Sequence, residues 1–342
     1  MRFFCALLFL ATSACRLVAE DFAAELAKTV QNLEKNKAAV AAGSDGWLFF
    51  GGELRLLSLG RFWGSDATKV SRAHKPDLAD PLPAILDFQQ QLKTRGIELL
   101  MVPVPPKASI YPEKIVTGVD LRTTDPAPEL YRFYEELRAA GIDVLDLSAV
   151  LVRNRENSRG PVFCKTDSHW SGIGCALAAE AIAEKVRGKI AKPITAKEYV
   201  AEWKEAEREG DLASLLARDG HKPPPEKVAV QTVSEKGTGA AVQDNANSPL
   251  LLLGDSHTLI YHDRDFLPVR AGLVDQLALQ LGFAPDLIGT SGSGATPVRL
   301  TLYRRSVKDP GYLAKKKVVV WCFAAREFTE ATEGWAKVPI AK

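Results

Sequence analysis

"PLLLLGDSHTLI", residues 249–260, runs four consecutive leucines into an abrupt polar stop. Leu250–Leu253 read as a strand buried on both faces, the pattern of a parallel sheet. Gly254-Asp255-Ser256 follows at once. A serine that ends such a strand and opens onto a helix stands at the sheet edge where α/β proteins bind ligands. Backbone N–H groups at that helix start also favour a developing negative charge. Ser256 therefore reads as a nucleophile, or more plainly as a helix N-cap.

The same tripeptide recurs in "CKTDSHWSG", residues 164–172, and the two copies hold two of the five histidines in the chain. Asp167 and His169 are one residue apart, so in an extended or turn segment their side chains point the same way. The aspartate then accepts from one imidazole nitrogen and leaves the other free to take a proton from a hydroxyl, which is the pair a serine nucleophile needs. Trp170 and the glycines after it read as a tight corner holding the pair. The plainer alternative is a structural histidine. The rival chemistry is a metal site built from Asp167, His169, Asp255 and His257. Against it, no HxH or HxxxH spacing occurs, and Ser256 and His257 diverge at a helix start. The expectation is no metal and no cofactor.

Outward from these copies, helix, glycine and apolar strand alternate. "PLPAILDFQQQLKTRG" (81–96) is helical and stops at Gly96, before the buried strand "IELLMVPVP" (97–105). "APELYRFYEELRAAG" (127–141) and "IDVLDLS" (142–148) repeat the pattern. "GIGCALAAEAIAEKVRG" (172–188) and "GLVDQLALQLG" (272–282) are helices, and "KKKVVVWCFAAREF" (315–328) is a final strand. This is a parallel sheet covered on both faces. Residues 192–248 are more polar and read as an excursion or cover, and residues 20–43 as a polar, alanine-rich helical tether.

The chain has 342 residues, 46% hydrophobic and 25% charged, with a net charge of +2. The length suits one large α/β domain or two small ones, and no Lys/Arg cluster beyond Lys315–Lys317 points to a nucleic-acid partner. Lys315–Lys317 read as a solvated loop. Residues 1–19, beginning "MRFFCALLFLATSAC", read as an export signal or membrane anchor, cleaved after Ala14 or Ala19 or lipidated at Cys15. A periplasmic or cell-envelope location, with membrane association through the N-terminus, follows. Cys164 and Cys175 are either a disulfide pair or buried thiols. Trp47, Trp63 and Trp170 are either stacking surface for sugar rings or core.

Taken together, "DGWLFF" (45–50), "LLMVPVPPKASIYPEKI" (99–115), "KTDSHWSG" (165–172), "GDLASLL" (210–216), "LLLLGDSHT" (250–258) and "REFTEATEGW" (326–335) resemble the alginate O-acetyltransferases of the SGNH-hydrolase-like type. The resemblance spans most of residues 44–339 and implies one three-layer α/β/α domain there. In that family the Asp-x-His motif precedes the serine motif, the reverse of ordinary SGNH esterases, and this chain has the family's order. Carried over, Asp167 orients, His169 is the base and Ser256 the nucleophile. From the residues themselves, the Ser256 backbone N–H reads as the first oxyanion donor, Gly292 and Gly294 as a second donor or only a flexible turn, and Arg299 as a substrate contact or a surface arginine. The implied activity is acetyl transfer to an exported polysaccharide, with the donor supplied by a membrane O-acyltransferase partner. The alternatives are a deacetylating esterase, a metal-dependent hydrolase, and a non-catalytic polysaccharide-binding export component. The chain ends soon after the catalytic-type domain, leaving no room for a separate carbohydrate-binding module, so polymer recognition is expected from the domain itself or its partners.

Overall fold

The computed structural model describes residues 21–191, 196–217, 220, 223–262 and 267–341. The leader, with Cys15, lies outside them. Val40–Ala42 (β1) and Leu48–Phe50 (β2) form an antiparallel ribbon. Glu98–Val104 (β3) and Asp143–Val144 (β4) enter the central sheet. Tyr199–Arg208 (β5) and Glu226–Glu235 (β6) pair as a separate antiparallel hairpin. Leu250–Gly254 (β7), Asp286–Gly289 (β8) and Val318–Ala324 (β9) complete a sheet of order β4-β3-β9-β7-β8 whose pairs are all parallel.

Every residue of β7 and β9 is buried, which a strand achieves only when both sheet faces are covered. The helices Pro81–Lys93, Pro128–Ala139, Gly172–Val186 and Leu273–Leu281 form where their periodicity predicts. β8 and the helix Thr296–Lys308 form where no element was expected. The α/β expectation stands.

Register gathers the functional end. Val104 pairs with Ala324, and Gly254 with Cys322, so β3, β9 and β7 release the chain at one carboxyl edge. There the sheet delivers Lys107, Arg326 and the Asp255–Ser256 turn side by side. Gly254 is required by packing, since a Cβ on it would stand 1.8 Å from the Cys322 carbonyl oxygen.

Three local readings change and two open ones resolve. Residues 21–35 are helical, but Phe22, Leu26, Val30 and Leu33 form a stripe buried in the main core, so this segment packs on the domain. Residues 192–248 contain the long β5–β6 hairpin, its inner face set by Val228, Val230 and Val233. Lys316 is buried: its ammonium donates to the carbonyls of Ala246 and Ser248 and to Asp286 at the amino edge of the sheet. Cys164, Cys175 and Cys322 are free, buried thiols. The Cys164 sulfur lies 3.3 Å from the Tyr261 hydroxyl, and Cys164 and Cys175 are not bonded to each other. Trp47, Trp63 and Trp170 are core residues.

Candidate active site

Phe163 and Trp170 form an isolated antiparallel bridge, and the six residues between them make a loop at the carboxyl edge. The polar backbone of that loop is buried, so its groups need partners. Cys164 N–H donates to the His169 carbonyl. Glu226, the first residue of β6, accepts from the N–H groups of Lys165 and Thr166. Asp211, just beyond the end of β5, accepts from the Ser168 N–H at 2.7 Å and its hydroxyl at 2.5 Å. The Thr166 carbonyl accepts from Ala213 N–H, and Lys107 takes the carbonyls of Cys164, Lys165 and Asp167. Side chains distant in sequence, rather than Trp170 and its glycines, fix this corner.

Within the loop Asp167 is fully buried and uses both oxygens. Oδ1 accepts from the His169 backbone N–H at 3.0 Å and lies 2.6 Å from its Nδ1. Oδ2 accepts from Arg208 Nε at 2.9 Å and from Asp211 N–H at 3.1 Å, with Arg208 Nη2 at 2.8 Å. Burial alone would raise the Asp167 carboxyl; the charge and hydrogen bond of His169, with Arg208, outweigh it and hold it far below the usual range. Burial works against the His169 imidazolium, but Asp167 overrides it and the net shift is upward.

Ser256 opens a single helical turn, Ser256–Leu259, directly after β7. Its hydroxyl lies 2.7 Å from His169 Nε2. Asp255 caps that turn, accepting from His257 N–H through Oδ1 and from Ala324 N–H through Oδ2. An unbroken line therefore runs Asp167–His169–Ser256. A hydroxyl against a neutral imidazole whose other nitrogen is anchored to a carboxylate can attack a carbonyl as its proton leaves.

His257 bonds to Asp255 at 3.1 Å and lies 4.7 Å, ring to ring, from His169. Each histidine thus pairs with the aspartate of its own copy, and the four residues do not converge as a ligand set. One group of potential metal ligands does occur among the described residues, Asp167, His169 and Asp211. Its Asp167 oxygens already meet the Arg208 guanidinium and the imidazole, so a cation there would face a buried positive charge.

The second oxyanion donor and the substrate contact fare differently. Gly294 packs against Phe323 and Asp255, where a Cβ would stand 2.3 and 3.3 Å from theirs. Nearby, Glu327 accepts from the Ser293 hydroxyl at 2.7 Å. Burial pushes that Glu327 carboxyl up to about 7. Gly292 is exposed, with φ +89°. Arg299 points into the core, its guanidinium 5.3 Å from the Trp321 ring and 5.8 Å from Trp335, its Nε donating to the Ala295 carbonyl. It is fully enclosed there, away from the surface, and burial lowers it to about 10. Arg208, Asp211 and Glu226 were missed because they arrive through the hairpin, and only the alternation of "EKVAV" (226–230) announced that strand.

Residues 40–324 match the family model of an SGNH hydrolase-like domain, acetyltransferase AlgX. The chain is 26% identical over 316 residues to the probable alginate O-acetylase AlgJ of Pseudomonas aeruginosa, covering 87% of this chain and 73% of that protein. The same-named protein of Pseudomonas putida is 26% identical over 302 residues, covering 85% and 71%. Among solved structures, the O-acetyltransferase domain of Pseudomonas putida AlgJ superposes with a TM-score of 0.62 at 23% identity, over 85% of this chain and 92% of that one. Pseudomonas aeruginosa AlgX gives 0.61 at 19% identity, over 84% and 62%. These two likenesses establish the SGNH-like fold.

Proposed function

The chain belongs to the SGNH hydrolase-like AlgX acetyltransferase family, and from that premise we propose that it transfers an acetyl group to a polysaccharide hydroxyl through an acetyl-Ser256 intermediate. The observation that carries this reading is the Asp167–His169–Ser256 line, with contacts of 2.6 and 2.7 Å. His169 Nε2 takes the Ser256 proton as Oγ attacks the acetyl carbon of the donor. The same proton passes to the donor's leaving oxygen, and the acetyl group stays on Oγ. An acceptor hydroxyl then attacks, giving its proton to Nε2, and Ser256 leaves with that proton restored. Asp167 remains ionised throughout and holds the imidazolium. The Ser256 backbone N–H is the oxyanion donor of this reading.

Water and a sugar hydroxyl compete for the same acyl carbon, and a bound acceptor wins through its effective concentration. A polysaccharide acceptor is supported by the names of the relatives, which are alginate O-acetylases. Export to the cell envelope, a leader over residues 1–19, a catalytic domain over 44–339 and donor supply by a membrane acyltransferase complete the proposal. Among the described residues no helix is long and apolar enough to cross a membrane.

The test is intact mass spectrometry after incubation with an activated acetyl ester, then with oligosaccharides. The wild-type protein should gain one acetyl group at Ser256 and lose it to the acceptor; Ser256→Ala should gain none. Steady acetate release with acceptors never acetylated would make the protein an esterase.

A further inference from the structure

Lys107 is fully buried, and among the described residues no carboxylate is bonded to its ammonium group. Nζ instead donates to three carbonyl oxygens: Cys164 at 2.9 Å, Lys165 at 3.2 Å and Asp167 at 2.7 Å. The rings of Trp47 and Phe49 lie 5.9 and 5.5 Å from it. A neutral amine has two N–H groups and a lone pair, and would turn that lone pair on one of the three carbonyls. Three acceptors select the ammonium form, with its three donors. Burial lowers the Lys107 amine below the usual lysine range, and the charges of Glu53, Asp167, Cys164 and Asp211 offset only part of that fall, so the three carbonyls are what favour the proton staying on.

The lysine is itself anchored. Its backbone N–H donates to Glu53 Oε2 at 3.2 Å, and Glu53 Oε1 accepts from Arg326 at 2.9 Å. Arg326 follows β9 and interacts electrostatically with Asp255, the residue before the proposed nucleophile. The bonded series Asp167–Lys107–Glu53–Arg326 therefore ties the first Asp-Ser-His copy to the segment after β9, from which the Arg326 charge acts on Asp255 of the second. We propose that Lys107 is a positioning residue for acetyl transfer: its ammonium gathers the carbonyls of Cys164, Lys165 and Asp167 and so aims Asp167 Oδ1 at His169 Nδ1, with Glu53 and Arg326 holding the lysine in place.

This inference rests on the proposed triad, and its test separates the two. Wild type, K107M, E53Q and S256A are compared by labelling with a serine-reactive sulfonyl fluoride and by the pH dependence of aryl acetate turnover. K316M is the control, since Lys316 is also buried on three acceptors but at the opposite edge of the sheet. His169 faces Asp167, Asp211, Arg208 and the His257 ring, so charge changes near Asp167 register in its titration. K107M should lower kcat roughly 10- to 100-fold per folded molecule, the cost of a small misplacement, with KM within about twofold. Loss of a nearby positive charge should also move the acidic limb of kcat/KM to higher pH. E53Q removes a negative charge and should move it to lower pH with a smaller fall in kcat, which decides the matter if K107M does not fold. K316M should lower stability and leave the limb in place. An unmoved limb and unchanged kcat per folded molecule in K107M and E53Q, with labelling still dependent on Ser256, would overturn the role of Lys107 alone. Equal labelling of S256A would overturn the triad itself.

Discussion

Asp167-Ser168-His169 and Asp255-Ser256-His257 fold into the same small motif and do different things with it. In each, Oδ1 of the aspartate accepts from the backbone N–H of the histidine, at 3.0 and 2.9 Å, and meets that histidine's Nδ1. The ring contact is 2.6 Å in the first copy and 3.1 Å in the second. His169 is shifted upward, while burial drives His257 downward despite its aspartate, with His169 and Arg326 adding to that fall. The serines diverge as well, since Ser168 binds Asp211 and Ser256 faces His169 Nε2. A local sequence thus sets the pairing inside each motif. What surrounds it decides which histidine is basic and which hydroxyl is poised.

The sharpest way to break this comparison is to treat both histidines alike. H169Q should lower kcat for acetyl transfer by at least about 10⁴-fold, as for other members of such triads. H257Q should cost roughly tenfold or less, through packing against His169. Equal losses in steady-state kinetics would make the two copies one functional unit.

Next in size is the contact that distinguishes the aspartates. Asp167 meets the Arg208 guanidinium, whereas Asp255 is bonded by backbone N–H groups and its own histidine. R208M leaves a buried carboxylate short of its cation and should destabilise the fold by roughly 3–5 kcal/mol in denaturant titration. A loss below about 1 kcal/mol would mean that the backbone N–H donors suffice.

A smaller effect is read in the pH profile. In the proposed mechanism His169 must be neutral to accept a proton, and Asp167 makes it hold its proton more tightly than an ordinary imidazole at 6.5. Activity should therefore fall with decreasing pH through an acidic limb above 6.5. H257Q should leave that limb unmoved, because it replaces a ring that is already neutral there. A wild-type limb below about 6 would remove Asp167 as the dominant influence.

The smallest change is S168A, which loses a hydroxyl bonded to Asp211. It should cost about 1 kcal/mol of stability and leave kcat within about threefold. A loss comparable to that of Ser256→Ala would mean the serines had been assigned to the wrong copies.

Much of this arrangement was legible in the sequence, and the limits have physical causes. The leucine run before Gly254 announced a parallel strand because burial on both faces leaves no polar position within it. The Asp-x-His spacing announced a pair because the contact is local, two residues apart. Arg208, Asp211, Glu226 and Lys107 left no such mark: each acts across more than forty residues, and a charged side chain in a sequence reads as solvated. Arg299 and Lys316 failed for the same reason, being charges that the fold buries. β8 was overlooked because four residues starting with Asp286 give no pattern until Arg305, Tyr312 and Lys316 meet that aspartate.

The loop between Phe163 and Trp170 is tied to the domain by side chains, and it pairs with no strand of the central sheet. The order of strands therefore places no demand on when this loop occurs along the chain. Ser256 is different: it is welded to the end of β7 and must come where that strand comes. One half of the constellation is fixed in the sheet and the other half is portable. A portable half can precede the serine, as here, or follow it, and the same three side chains still meet in space. Collinear alignment of two such chains would match their strands and lose their common chemistry.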